Sequence, residues 1–137
     1  MKTASGNLFR SLILAAVTLS ASSGASAHHS FAVHFLPEGE VTVTGVVTSF
    51  RFANPHGVIE LTALDENGNE VLWRAETNSP NLLRRRGWTR DSVPVGEQVT
   101  MTGWPAREDE HYMRIRSMTY SDGSVLSTQR GAVPDQD

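Results

Sequence analysis

Five histidines stand in this 137-residue chain, at positions 28, 29, 34, 56 and 111, and no cysteine accompanies them. Imidazole nitrogen suits Cu(II), Zn(II) and Ni(II), and the affinity order puts copper first, with zinc as the second expectation. His28 has a further resource if export cleaves the chain just before it. Its α-amine and imidazole Nδ1 then close a six-membered chelate ring on one ion, and a single additional imidazole completes a three-nitrogen set. His29 and His56 are the expected partners and His34 a weaker one, with His56 carried by a loop between two strands. His111 sits beside the acidic run Glu108-Asp109-Glu110, where a solvated surface is the ordinary reading. Such a site would weaken in acid, because an α-amine of reference pKa about 7.7–8.0 and the imidazoles must lose protons to coordinate. The spacing matches neither a tetrahedral zinc motif nor a metalloprotease helix. Two plainer readings therefore stand beside the metal: solvated histidines at a new terminus, and a His56 that hydrogen-bonds within its own turn.

Other chemistry is poorly represented. The chain lacks a Gly-x-Ser-x-Gly nucleophile turn, a phosphate-binding glycine loop and a dinucleotide fingerprint. Its carboxylates, Glu38, Glu40, Glu60, Glu76 and the 108–110 run, fall at strand ends and loops, where solvation is the rule. A non-enzymatic binding or accessory module for a protein or small ligand is the first functional expectation, and a copper- or zinc-binding protein is the alternative. Trp73, Trp88 and Trp104, with Phe50, Phe52, Tyr112 and Tyr120, offer rings for stacking on a flat ligand. Trp73 shares its parity with Val71 and Ala75, which predicts core packing; Trp88 and Trp104 flank loops and suit a cleft wall or a cover over an open barrel end.

Lys2 and Arg10 flank the start of an apolar run at 11–21, and small residues lead from it to Ala25-Ser26-Ala27. This is the pattern of a secretory signal peptide cleaved after Ala27, and the run is too short to stay in a bilayer, which takes about 20 apolar residues. The expected organisation is a leader at 1–27, one domain at 28–130 and a loose tail at 131–137, in a periplasmic or secreted protein with no integral membrane segment. Without cysteine, neither a lipid anchor at the cleavage site nor a disulfide framework is expected. Loss of Lys2 and Arg10 takes the basic total from 12 to 10, all Arg, against 15 acids, so the formal charge moves from −3 to −5. That balance disfavours nucleic acid, whose binding relies on basic residues displacing counterions.

Strand signals recur from residue 41 onward. A long first strand at 41–52 carries Val41 and Val43 on one face and changes phase near Gly45, which predicts a bulge there. Ile59, Leu61 and Ala63 alternate with Glu60 and Thr62 at 58–64, Asn67-Gly68 turns the chain, and Val71, Trp73 and Ala75 line one face of 70–77. Ser79 as cap, Pro80 at the first helical position and Gly87 just past the end predict a helix of about two turns, with Arg84, Arg85 and Arg86 near its negative end. Strands at 98–104 and 112–120 follow, then a short one at 124–127. Three strands, a helix and two more strands is the order of an all-β, five-stranded Greek-key barrel of the oligonucleotide/oligosaccharide-binding type, with a small antiparallel sandwich as the alternative.

Three motifs together carry a family resemblance: His28-His29-Ser30-Phe31, Phe50-Arg51-Phe52-Ala53-Asn54-Pro55-His56, and Leu82-Leu83-Arg84-Arg85-Arg86-Gly87-Trp88. The chain resembles a family of uncharacterised bacterial exported proteins, a domain of unknown function, from His28 to about Leu126. The resemblance implies a periplasmic or secreted single domain and brings no activity. His28, His29 and His56 fall on the family's motif positions. His34 stands where an apolar residue such as Met is expected, and Phe52 where the family usually has Trp.

Overall fold

The computed structural model describes residues 27–129, with side chains from Phe31 onward. The leader up to Ser26, the side chains of His28 and His29, and the tail at 131–137 lie outside the described residues. Two units divide between Val33 and His34. Helix α1, Ala27–His34, runs across that division, where the sequence predicts no element before residue 41. No Gly or Pro interrupts 27–34, His34 stands in the last turn, and Pro37 follows three residues beyond the end. Among the described residues, no helix is long and apolar enough to cross a membrane.

The second unit is built on strands β1 (Val41–Arg51), β2 (Val58–Leu64), β3 (Glu70–Glu76), β4 (Gln98–Pro105), β5 (Tyr112–Tyr120) and β6 (Val125–Ser127), with helix α2 (Pro80–Arg84) between β3 and β4. The sheet order is β3-β2-β1-β4-β5-β6, and a parallel pairing of β3 with β5 closes the first five strands into a ring. This is the predicted five-stranded barrel, with β6 added outside it; the closure excludes the sandwich. Buried Val43, Val47, Ile59, Leu61, Ala75, Val99, Met101, Met113, Ile115 and Met118 fill the interior, in the period-two alternation of strands, which β5 breaks between Ile115 and Met118 where its register on β4 shifts.

The bulge is not at Gly45. Val43, Gly45 and Val47 face inward without interruption, and the register of β1 on β2 slips between Val47 and Ser49. Gly45 answers a different need, because a Cβ there would meet the Thr62 backbone carbonyl and come within 2.5 Å of Leu61 Cδ1. Two strands cross so closely at this point that only a residue without a side chain fits.

At the end of the barrel reached by α2, Leu83 and Trp88 are fully buried. The indole N–H of Trp88 donates to the Ser127 carbonyl at 2.9 Å, and its ring lies 6.3 Å from Phe50. Trp88 is therefore a core plug that ties β6 to the barrel rather than a wall of a cleft. Ser79 precedes α2 with extended dihedrals, but its hydroxyl makes no cap bond; its carbonyl accepts the amides of Leu82 and Leu83 instead. The far end closes as predicted, with Gly87 at φ +85 and the Trp88 amide donating back to the Leu83 carbonyl.

Replacing Gly45 with Ala should lower stability by about 1–3 kcal/mol, since backbone rather than a yielding side chain occupies the space. Val46→Ala, at the exposed neighbour, should cost under about 1 kcal/mol. Urea unfolding midpoints measure both, and equal losses would contradict the close-approach role.

Candidate functional site

His56 ends a loop that begins at buried Phe52 and passes through the cis Asn54-Pro55 bond. The loop is fastened to the end of β3: the Thr77 amide donates to the Gly57 carbonyl at 2.9 Å, and a Cβ on Gly57 would press on Thr77 Oγ1. Next to it the closure seam aligns Arg74 with Tyr112 and Glu76 with Arg114. Ala75 and Met113 point into the core, so these four alternate side chains lie on the outer face.

One carboxylate gathers this corner. Glu76 Oε1 is 2.6 Å from His56 Nδ1 and also receives the Arg114 guanidinium, while Oε2 accepts the Tyr112 hydroxyl at 2.6 Å. Arg114 also donates to Asn78 Oδ1 at 2.6 Å, and Asn78 Nδ2 donates to the Thr128 carbonyl at 2.9 Å. Burial and then the hydrogen bond to Glu76 push the Tyr112 hydroxyl well above its ordinary pKa. Arg74 lies over the Tyr112 ring at 5.2 Å and pairs with Asp109 at 2.7 Å. Asp109 is held below the ordinary carboxylate range, chiefly by the His111 backbone amide and further by Arg74.

The histidines divide in consequence. With Nδ1 engaged by Glu76, His56 keeps Nε2 as its ligating nitrogen, on a ring whose side chain is 46% exposed. A carboxylate behind a histidine fixes its orientation, the arrangement found behind metal-bound imidazoles. His34 is exposed, and its carbonyl accepts the Arg107 amide at 2.9 Å. His111 stands edge-on to Trp73 at 5.2 Å. No three metal-ligating side chains come together among the described residues.

A second feature lies at the other end of the barrel. Residues 41–45 of β1 pair only with β4, because pairing with β2 begins at Val46, whereas β2 and β3 continue as a hairpin to Leu64 and Glu70. The gap is an open cleft of about 710 Å³, with Val41, Val43, Ala63, Val71 and Trp73 as its apolar lining and Asp65, Glu66, Glu110 and His111 among its polar lining. Trp73 is half-buried, so it packs on the core as its parity predicts and also presents surface to the cleft. Asp65 accepts the Asn67 and Asn69 amides, both at 2.8 Å. The Asn69 side chain leads in holding its pKa below the ordinary carboxylate value. Trp104 is engaged elsewhere, under the Arg116 guanidinium at 4.1 Å.

Sequence reasoning places His56 in a loop but misses its setting. Glu76, Asn78, Tyr112 and Arg114 carry no motif, and the contacts among them span up to 38 positions. Parallel closure alone brings them together.

Truncating Glu76 to Ala strands the part-buried Arg114 charge and the Tyr112 hydroxyl, so stability should fall by about 2–4 kcal/mol; Tyr112→Phe should cost about 1 kcal/mol. Thermal unfolding compares them, and a mild Glu76→Ala variant would show that the carboxylate does not organise this corner.

No curated protein and no solved structure gives a match. A model described as a family of unknown function (DUF6152) matches residues 16–114. That span holds His28, His29, His56, the whole β2–β3 hairpin, α2 and β4. With well over half of its length matched, the chain belongs to the DUF6152 family of unknown function.

Proposed function

We propose that the protein is an exported, non-enzymatic binding module, periplasmic or secreted, that receives its ligand in the cleft between the first half of β1 and the β2–β3 hairpin. The observation that carries this reading is the cleft itself. It is an open recess of about 710 Å³ left by the barrel's own register, polar over the larger part of its lining with Trp73 and aliphatic side chains making up the rest, within the size range of small-molecule sites. The charged side chains along it are the carboxylates of Asp65, Glu66 and Glu110. An organic cation with an apolar body suits that lining, its charge among the carboxylates and its body against Trp73. The leader pattern supports export, and the lack of a nucleophile or cofactor motif supports binding without chemistry.

Benzyltrimethylammonium serves as a probe. Titrated into isotope-labelled protein, it should shift the amide resonances of residues 41–44, 63–67, 71–73 and 110–111, and Trp73→Ala should weaken binding about tenfold. Shifts centred elsewhere, or none, would contradict the reading.

The second reading is a copper-binding protein, less favourably a zinc-binding one, using His28, His29 and His56, with His34 as a weak auxiliary. The contact of Glu76 with His56 Nδ1 favours it, since it leaves Nε2 of an oriented imidazole for a metal. Chain beginning at His28 should bind Cu(II) at least tenfold more tightly than chain with one extra residue ahead of it, or than His56→Ala, and the binding should weaken as pH falls below about 7. Equal micromolar binding in all three would remove this reading.

A further inference from the structure

We propose that Arg51, Arg84, Arg85, Arg86 and Arg90 form a docking surface for an acidic segment of a partner protein, at the end of the barrel away from the cleft. The centre of this surface is Phe52, whose ring is 4% exposed. The Arg84 and Arg90 guanidinium carbons lie 5.3 and 5.9 Å from its centroid. Arg51 precedes Phe52 in the chain, and Arg85 and Arg86 follow directly on α2. Four of the five are exposed and Arg86 is half-buried.

Internal pairing does not account for the cluster. Arg74, Arg114 and Arg116 have carboxylate partners in Asp109, Glu76 and Glu40. Among the described residues none of the five cluster arginines is in an ion pair; Arg84 has only Asn81 Oδ1 at 3.4 Å besides the ring. The helix dipole is an insufficient reason as well. α2 is five residues long and contains only Arg84, while Arg51 and Arg90 belong to other segments, and the dipole acts only within the last turn. Arg84 and Arg90 are thus like charges on one ring with no carboxylate partner among the described residues, flanked in the chain by Arg51, Arg85 and Arg86, in a sequence whose 15 acids outnumber its basic residues.

Stacking on Phe52 restricts two of the guanidinium groups, so less freedom is lost when their N–H edges take a carboxylate. Both stand within 6 Å of one ring centroid, which brings them close enough together for one extended segment, with carboxylates on alternate residues about 7 Å apart, to reach both. An acidic segment is favoured over a bilayer or a duplex because it is narrow. A broad anionic surface would also confront exposed Asp91, next to Arg90, and the surplus of carboxylates beyond the patch.

The test uses the mature chain and a fluorescein-labelled peptide of ten glutamates at low ionic strength. Binding is expected, weakening at least tenfold in R84A/R90A and about threefold in R84K/R90K, and declining steeply with added salt. R51A/R85A, which removes two exposed charges and leaves the Arg84 and Arg90 cover of Phe52 in place, should weaken it as well and covers the case in which uncovering Phe52 perturbs folding. Four results would each overturn the proposal: no binding by the wild type, unchanged binding in R84A/R90A and R51A/R85A, stronger binding to phosphatidylglycerol vesicles than to the peptide, or self-association at working concentration that the same substitutions abolish.

Discussion

Three parallel residue pairs, Arg74 with Tyr112, Ala75 with Met113 and Glu76 with Arg114, decide whether this sheet is a barrel. Without them β3 and the first part of β5, ahead of its pairing with β6, would be open edges, each a row of unpaired backbone groups. On the inner face Ala75 and Met113 are fully buried. On the outer face Glu76 joins the strands through Tyr112 and Arg114 and holds His56 against them. Gly103 belongs to the same constraint, because a Cβ there would run into the Arg114 carbonyl. β4 can follow β5 into the seam only where it has no side chain.

Closure also separates two kinds of surface. β1 leads from the cleft at Val41 to the arginine cluster at Arg51, and β2 returns from the His56 loop to the hairpin at 65–69. Seven residues of strand span about 23 Å, well over a Debye length of about 8 Å at physiological salt. The carboxylates of Asp65, Glu66 and Glu110 and the unpaired arginines around Phe52 thus act as independent electrostatic surfaces. The Asp65 carboxyl on the cleft rim is held below its ordinary pKa, chiefly by the Asn69 side chain, whereas the arginines stay charged throughout. A cationic ligand at one end and an acidic segment at the other need not compete.

Much of the scaffold was legible because it is local. Alternation at Ile59, Leu61 and Ala63 and the Asn67-Gly68 turn placed β2 with its observed bounds and β3 to within one residue, and β5 matched at both ends. The bulge was misread at Gly45 because Val46 and Val47 are both apolar, and only the close crossing shows that Val46 is the exposed one. Helix α1 has no counterpart in the sequence reading, since three histidines, a phenylalanine and a valine among small residues give little periodicity. Ser79 looked like a cap from its type and position, but the hydroxyl is not used. The candidate site was least legible. His56 could be singled out as a ligand type, but Glu76 became its partner through a register that no short window of sequence contains. Trp73 was read as core because parity fixes a face; its partial exposure comes from where β1 exchanges β4 for β2, a property of the whole ring.

Amide hydrogen exchange on the intact chain reaches the seam most directly. If these three pairs close the barrel, the amides of Arg74, Glu76 and Met113, whose N–H groups face across the seam, exchange only through global unfolding, with the same free energy and denaturant dependence as those of β1 and β4. Exchange of the seam amides through a cheaper local opening, while β1 and β4 stay protected, would mean that the barrel is an open sheet in solution and that neither the cleft nor the His56 corner is held as described.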